Sequence, residues 1–134
     1  MAIAYLTATA NARLVATLTA AVSGQSVDGG VGNGQLVIGT ASLSGATGIL
    51  ATLTLAKPSF SIATKVATML GIPISVSASG TGTAALAELR DSTGTNFIVT
   101  GLTVSTSGAN INLGSTSITS GQTVTITAGT ITSP

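Results

Sequence analysis

Glu88, Arg90 and Asp91 are the one local cluster of charged side chains in this 134-residue sequence. On a strand, positions 88 and 90 project to the same face. Two carboxylates beside a guanidinium could in principle exchange protons with a substrate. A glycosidase-type pair needs two carboxyls about 5–9 Å apart across a sugar, and Glu88 with Asp91 or Asp28 is all that the sequence offers. The plainer reading is a surface ion pair, worth about 0–1 kcal/mol. An Asp then opens the turn Asp91-Ser92-Thr93-Gly94.

Other chemistries lack their residues. There is no His, so a Ser-His-Asp triad and the commonest metal ligand and general base are missing. There is no Cys, so disulfides, zinc sites and thiol nucleophiles are excluded. Three scattered acids cannot supply the six to eight oxygens calcium needs. No G-x-S-x-G elbow or S-x-x-K motif occurs. The segment Gln25 to Gly34 (QSVDGGVGNG) is glycine-rich but has no Lys after its glycines. It also lacks the strand and helix that flank a phosphate cradle. Asp28-Gly29 and Asn33-Gly34 read instead as turn dipeptides. Four basic residues and three aromatics cannot neutralise or stack a nucleic acid. No enzymatic activity, cofactor, metal, nucleic acid, membrane or small-molecule substrate is expected.

The elements follow from periodicity. Residues 1–22 contain no Gly or Pro, and Leu14, Leu18, Ala21 and Val22 recur at i, i+4, i+7 and i+8, one stripe of a helix. Thr9 or Asn11 could cap it and Gly24 could end it. That helix is expected to cover one end of a β-core. The run Leu14 to Val22 also imitates the apolar part of a signal peptide, but Met1 to Ala12 carries no basic residue ahead of it.

From Gln35 the period is two. Ile49, Ala51, Leu53 and Leu55 alternate with Leu50, Thr52 and Thr54; Val124, Ile126 and Ala128 alternate with Thr123, Thr125 and Thr127. Such alternation marks half-buried antiparallel strands. Strands are predicted at 35–39, 48–56, 61–69, 72–79, 82–90, 95–104, 109–113 and 122–132. Turn signals such as Ser44-Gly45, Ser79-Gly80 and Ser120-Gly121 separate several of them. Pro73 places its strand at an edge or a bulge. The predicted fold is all-β: an antiparallel β-sandwich, jelly-roll or Greek-key-like, with one short N-terminal helix. An arm and helix over 1–24 precede a sandwich over 25–134 within one compact domain. The expected core includes Leu53, Leu55, Ile74, Val76, Leu89, Val99, Val124 and Ile126.

Only 5% of the residues are charged, against roughly 25% in an average soluble protein. So little charge does little to oppose self-association. Hydroxyls take its place, with 24 Thr and 16 Ser. The surface therefore suits a protein packed into an assembly.

Several motifs in order carry a family resemblance: Asn11-Ala12-Arg13-Leu14, Gly48 to Phe60 (GILATLTLAKPSF), Gly82 to Thr95 (GTAALAELRDSTGT), Ser105 to Leu113 (STSGANINL) and Ser115 to Ile126 (STSITSGQTVTI). The chain resembles a family of small structural proteins of tailed bacteriophages and prophages, whose members run "NARLDA", "LLATLTLSNPAF", "GTATWFRIVDSSGT" and "TSGADLNLNTTSI". It departs where the family carries aromatics, at Gln35 to Gly39 and at Ala85-Leu86-Ala87. The resemblance implies a virion structural protein. The most plausible role is a capsid decoration or cement protein that binds and stabilises the assembled phage head without catalysis. It would be located in the virion after assembly in the host cytoplasm. Its partners would be the major capsid protein and symmetry copies of itself. The alternatives are a tail or fibre component and a bacterial pilin- or adhesin-like β module.

The candidate interface residues are Ile3, Tyr5 and Leu6 in the apolar lead, Val27, Asp28 and Val31 in the glycine-rich loop, and the pair Glu88 and Arg90. The loop is expected to need a partner to order it, because fixing each residue costs about 1–2 kcal/mol. Binding is expected to rest on apolar burial and to change little with moderate salt.

Overall fold

The computed structural model describes residues 6–20, 26–30, 32–44 and 47–132. Aliphatic residues alternating with Thr and Ser build most of its strands. In chain order these are β1 (Gln35–Ser44), β2 (Thr47–Thr54), β3 (Phe60–Ala63), β4 (Val66–Met69), β5 (Ile74–Ser77), β6 (Gly82–Thr83), β7 (Leu86–Arg90), β8 (Phe97–Ser105), β9 (Ile111–Leu113), β10 (Ser117–Ile118) and β11 (Thr123–Thr132). Nine of them form one mixed sheet in the order β2-β1-β7-β8-β9-β11-β4-β3, with β5 paired to β11. Strands β6 and β10 form a small second sheet.

The large sheet folds over on itself. After β5, the N–H groups of Ser79 and Gly80 donate to Leu50 O of β2 at 2.8 and 3.2 Å. This brings the β2 end of the sheet against the half built on β11. Leu36, Ile38, Ala51, Leu53, Ala87 and Leu89 from one half pack in a single cluster with Ala67, Met69, Ile111, Leu113, Val124 and Ile126 from the other. Burying one such leucine contributes about 1.5–3 kcal/mol. The architecture is all-β and sandwich-like, as the alternation implies. Of the expected core, Leu53, Leu55, Leu89, Val124 and Ile126 are buried, while Ile74, Val76 and Val99 are half-buried at its margin.

The two halves meet at a seam. β8 and β9 run parallel, with Val104 opposite Ile111 and Ser105 opposite Asn112, so the sheet is not purely antiparallel. Asn110 spans the seam. Its Oδ1 accepts from Thr103 N at 3.1 Å and Thr103 Oγ1 at 3.0 Å, and its carbonyl accepts from Thr130 N of β11 at 2.8 Å.

Three boundaries differ from expectation. The run 61–69 is a tight hairpin, with Thr64 and Lys65 between β3 and β4 at φ of 51° and 68°. A two-residue hairpin turn needs positive φ at both positions to match the strand twist. The run 82–90 divides into β6 and β7. Pro73 lies just before β5, outside the ladder it could not donate to.

The helix also starts earlier than predicted. Helix α1 spans Thr7–Leu14 and continues as a π-helical segment over Val15–Thr19. Its N-cap is Leu6, with no side-chain cap, and Arg13 in its last turn complements the helix dipole. The predicted end at Gly24 lies outside the described residues. Ala10, Leu14 and Leu18, at i, i+4 and i+8, form its buried face. It therefore covers the core as expected.

Candidate functional site

Two charged side chains, Asp28 and Lys57, hold the described residues of the loop over 26–34, and Asp91 stands in the turn packed beside it. The loop begins as the cap of the helix. The last turn of a helix leaves carbonyls without intrahelical partners. Here Val27 N donates to Thr17 O at 3.1 Å and Asp28 N to Leu18 O at 2.9 Å. The Ser26 hydroxyl donates to Ala20 O.

The rest of the loop is pinned from three sides. Asp28 Oδ2 accepts from Ser59 N at 2.9 Å. The Lys57 ammonium donates to Gly30 O at 2.6 Å and Gly32 O at 3.2 Å. Asn33 Nδ2 donates to Leu55 O at 2.8 Å, and Leu55 N donates to Gly34 O at 2.9 Å. Gly34 is required by close approach, since a Cβ there would lie 2.4 Å from Val27 Cγ1 and 2.7 Å from Val27 O. Val27 is fully buried and Asp28 is 5% exposed. The expectation that a partner orders this loop is corrected. Asp28 Oδ2, Asn33 Nδ2 and the carbonyls of Gly30, Gly32 and Gly34 find partners within the chain, and Val27 and Asp28 face the interior.

Beside the loop stands the turn after β7. Ser92 packs against Gly30 and Gly32, where added Cβ atoms would meet its side chain at 2.1 and 3.3 Å. Asp91 organises the turn. Its Oδ1 accepts from Thr93 N at 3.1 Å and Thr93 Oγ1 at 2.6 Å, and its Oδ2 accepts from Asn96 Nδ2 at 2.6 Å. Burial opposes ionisation of Asp91, but the bonds from Thr93 and Asn96 outweigh it and hold its carboxyl below the usual value of 3.8. Gly94 closes the turn at φ +74°.

On the same strand, Arg90 Nη2 lies 2.7 Å from Glu88 Oε1. The Arg90 guanidinium also stacks 4.4 Å from the centre of the Phe97 ring. Glu88 and Arg90 are only 6% and 7% exposed. The surface-pair reading is therefore corrected: the ion pair is buried. β7 lies between β1 and β8, and Val37, opposite Glu88 on β1, is buried with it.

The chemistry of this cluster is limited. Asp28 Oδ1 and the Ser59 hydroxyl have no hydrogen-bond partner among the described residues. A serine beside a lone carboxylate lacks the base that activates a nucleophile near neutral pH. The carboxylates of Glu88 and Asp91 are each engaged, one by Arg90 and one by the turn. No group of three acids that could hold a metal occurs among the described residues. The arrangement fixes a loop, a helix end and a turn at one end of the sheet.

The sequence-predicted interface residues separate accordingly. Leu6 is 80% exposed. Val27, Asp28, Glu88 and Arg90 are buried. Ile3, Tyr5 and Val31 lie outside the described residues. Sequence reasoning missed Lys57 as the clamp on the loop. A lone cation before Pro58 carried no signal for it; only the clustered glycine carbonyls hinted at a need for a donor. Comparison with family models, with curated proteins and with solved structures finds no match to this chain.

Proposed function

We propose that this chain is a non-enzymatic structural protein of a virion, a decoration or cement protein on an assembled tailed-phage head. One observation carries the reading: all three acidic side chains are buried in the fold, two of them in internal ties and one in an ion pair. The surface is left to Thr, Ser, Gly and short aliphatic residues, and little charge resists close packing against neighbours. The motif resemblance to small phage structural proteins supports the same reading. A protein that binds the assembled shell and not free subunits stabilises the shell by mass action. Repetition over a symmetric lattice turns a modest contact into high avidity.

The test is to purify virions and quantify this chain against the major capsid protein. Many copies per head are expected, and heads lacking the chain should release their contents at lower temperature. Absence of the chain from heads, or robust turnover lost in Glu88→Gln or Asp91→Asn, would overturn the proposal.

A further inference from the structure

The large sheet has two terminal strands, and helix α1 is fastened beside one of them. At the β3 end, Asn11 Oδ1 of the helix accepts from Lys65 N of the β3–β4 turn at 2.8 Å. At the opposite end, β2 has β1 as its single ladder partner among the described residues. Leu55 N donates to Gly34 O on the β1 side at 2.9 Å, and Leu55 O accepts there from Asn33 Nδ2 at 2.8 Å. Backbone groups alternate between the two sides of a strand, so those of Leu53 also meet β1. Those of Thr52 and Thr54 point away from it.

That outer edge is open over a short stretch. Leu50 is the extra residue of a bulge between the pairs Ile38–Ala51 and Gly39–Ile49. Its carbonyl accepts from Ser79 N and Gly80 N, which closes that end of the edge. The backbone N–H and C=O groups of Thr52 and Thr54 have no partner among the described residues, and both residues are exposed. A bare edge is a template for a further strand, and proteins ordinarily blunt it with charge or proline. From Thr47 to Ala56 the sequence carries neither.

We propose that the outer edge of β2 pairs antiparallel with the same edge of a second copy of this chain, about a twofold axis at Leu53. The edge is complementary to itself in this one register. Thr52 then lies opposite the second copy's Thr54 and Thr54 opposite its Thr52, and each pair exchanges two hydrogen bonds. Every free N–H and C=O of the stretch is used. An axis at Thr52 would set Thr54 against Leu50, whose carbonyl is already taken. An axis at Thr54 would set Thr52 against Ala56, beyond the end of the strand. With the axis at Leu53, Lys57 of one copy falls opposite Ile49 of the other, so no like charges meet. Strand addition of this kind takes its affinity from main-chain bonds. These carry no net charge, so the pairing should change little with salt. It goes beyond the assembly reading, because it is a property of the free chain.

The experiment follows the full chain by analytical ultracentrifugation over a concentration series. The wild type should dimerise, and Thr54→Pro should weaken the dimer about tenfold or more. The N–H it removes points away from β1, so the β1–β2 ladder is kept. A second variant, Thr52→Lys with Thr54→Lys, leaves the backbone intact and sets like charges opposite each other at exposed positions. It should be monomeric at the wild-type urea midpoint. The register is read by cross-linking, since the chain has no cysteine. Residues 52 and 54 of the two copies would stand about 5.5 Å apart at Cα, within disulfide reach. A mixture of Thr52→Cys and Thr54→Cys chains should therefore cross-link about tenfold faster than either alone. A monomeric wild type, or a dimer untouched by both edge variants, would overturn the proposal. Equal cross-linking by the single variants alone would refute the Leu53 axis. A monomer whose binding to heads is lost in Thr54→Pro would assign the edge to a strand of the shell instead. A dimer with this register that is absent from heads would uphold the pairing and overturn the assembly reading.

Discussion

Removing Glu88 separates a buried ion pair from a surface one. The Arg90–Glu88 contact of 2.7 Å corresponds to an attraction of about 6 kcal/mol at an effective dielectric of about 20. Desolvating both ions offsets much of that, so the pair adds little compared with apolar residues of the same volume. Deleting one partner is different, because the guanidinium stays 7% exposed without its carboxylate. Glu88→Ala should then cost about 3–5 kcal/mol. Phe97, itself half exposed, continues to stack on Arg90 and supplies only about 0.5–1 kcal/mol. The double variant Glu88→Leu with Arg90→Met should recover most of the loss. Urea unfolding reads this directly: with m of about 1–3 kcal/mol per M, the single variant's midpoint falls by about 1 M or more at unchanged m. A single-variant cost under about 1 kcal/mol, or a double variant no better than the single, would refute the argument and return the pair to the solvated class.

Two further outcomes follow from the turns. Asp91 has its folded pKa lowered, so its stabilising contribution is fully present above the unfolded value near 3.8 and is lost as pH falls through the lower folded value. The difference in unfolding free energy between wild type and Asp91→Asn should accordingly be constant from pH 7 to 5 and shrink below 3.8, as read by urea midpoints along a pH series. Replacing Thr64-Lys65 by Asn-Gly should raise stability by about 1–2 kcal/mol in thermal unfolding, since β-branched Thr64 at φ 51° gives way to residues that tolerate the left-handed region. An unchanged melting temperature would mean that the hairpin turn stores no strain.

The strands were most legible where one face is wet, as in β2. Thr52 and Thr54 alternating with Ala51, Leu53 and Leu55 can sit only one way on a half-buried sheet. The same signal is silent about β7, where Glu88 and Arg90 alternate with Ala87 and Leu89 whether or not their face is covered. Only tertiary packing decides that, and here it buries both faces. The hairpin at Thr64-Lys65 was hidden for a local reason: its turn contains none of the Gly, Asn or Asp residues that normally announce positive φ. In the loop over 26–34, Asp28 lies in a turn but Asn33-Gly34 does not, and the described residues are tied down rather than loose. Composition reports the glycines but not the lysine 25 and 27 residues away that binds their carbonyls.

The residue types left at the surface also bear on how a contact with a neighbour can be switched. The sequence has no His, the side chain that ordinarily changes charge near neutral pH, and the basic side chains that reach solvent are Arg13, Lys57 and Lys65. The surface therefore holds no imidazole whose charge could switch toward a neighbour near neutral pH. A contact built on it has no histidine switch on this side, so a switch near neutral pH would have to come from the partner.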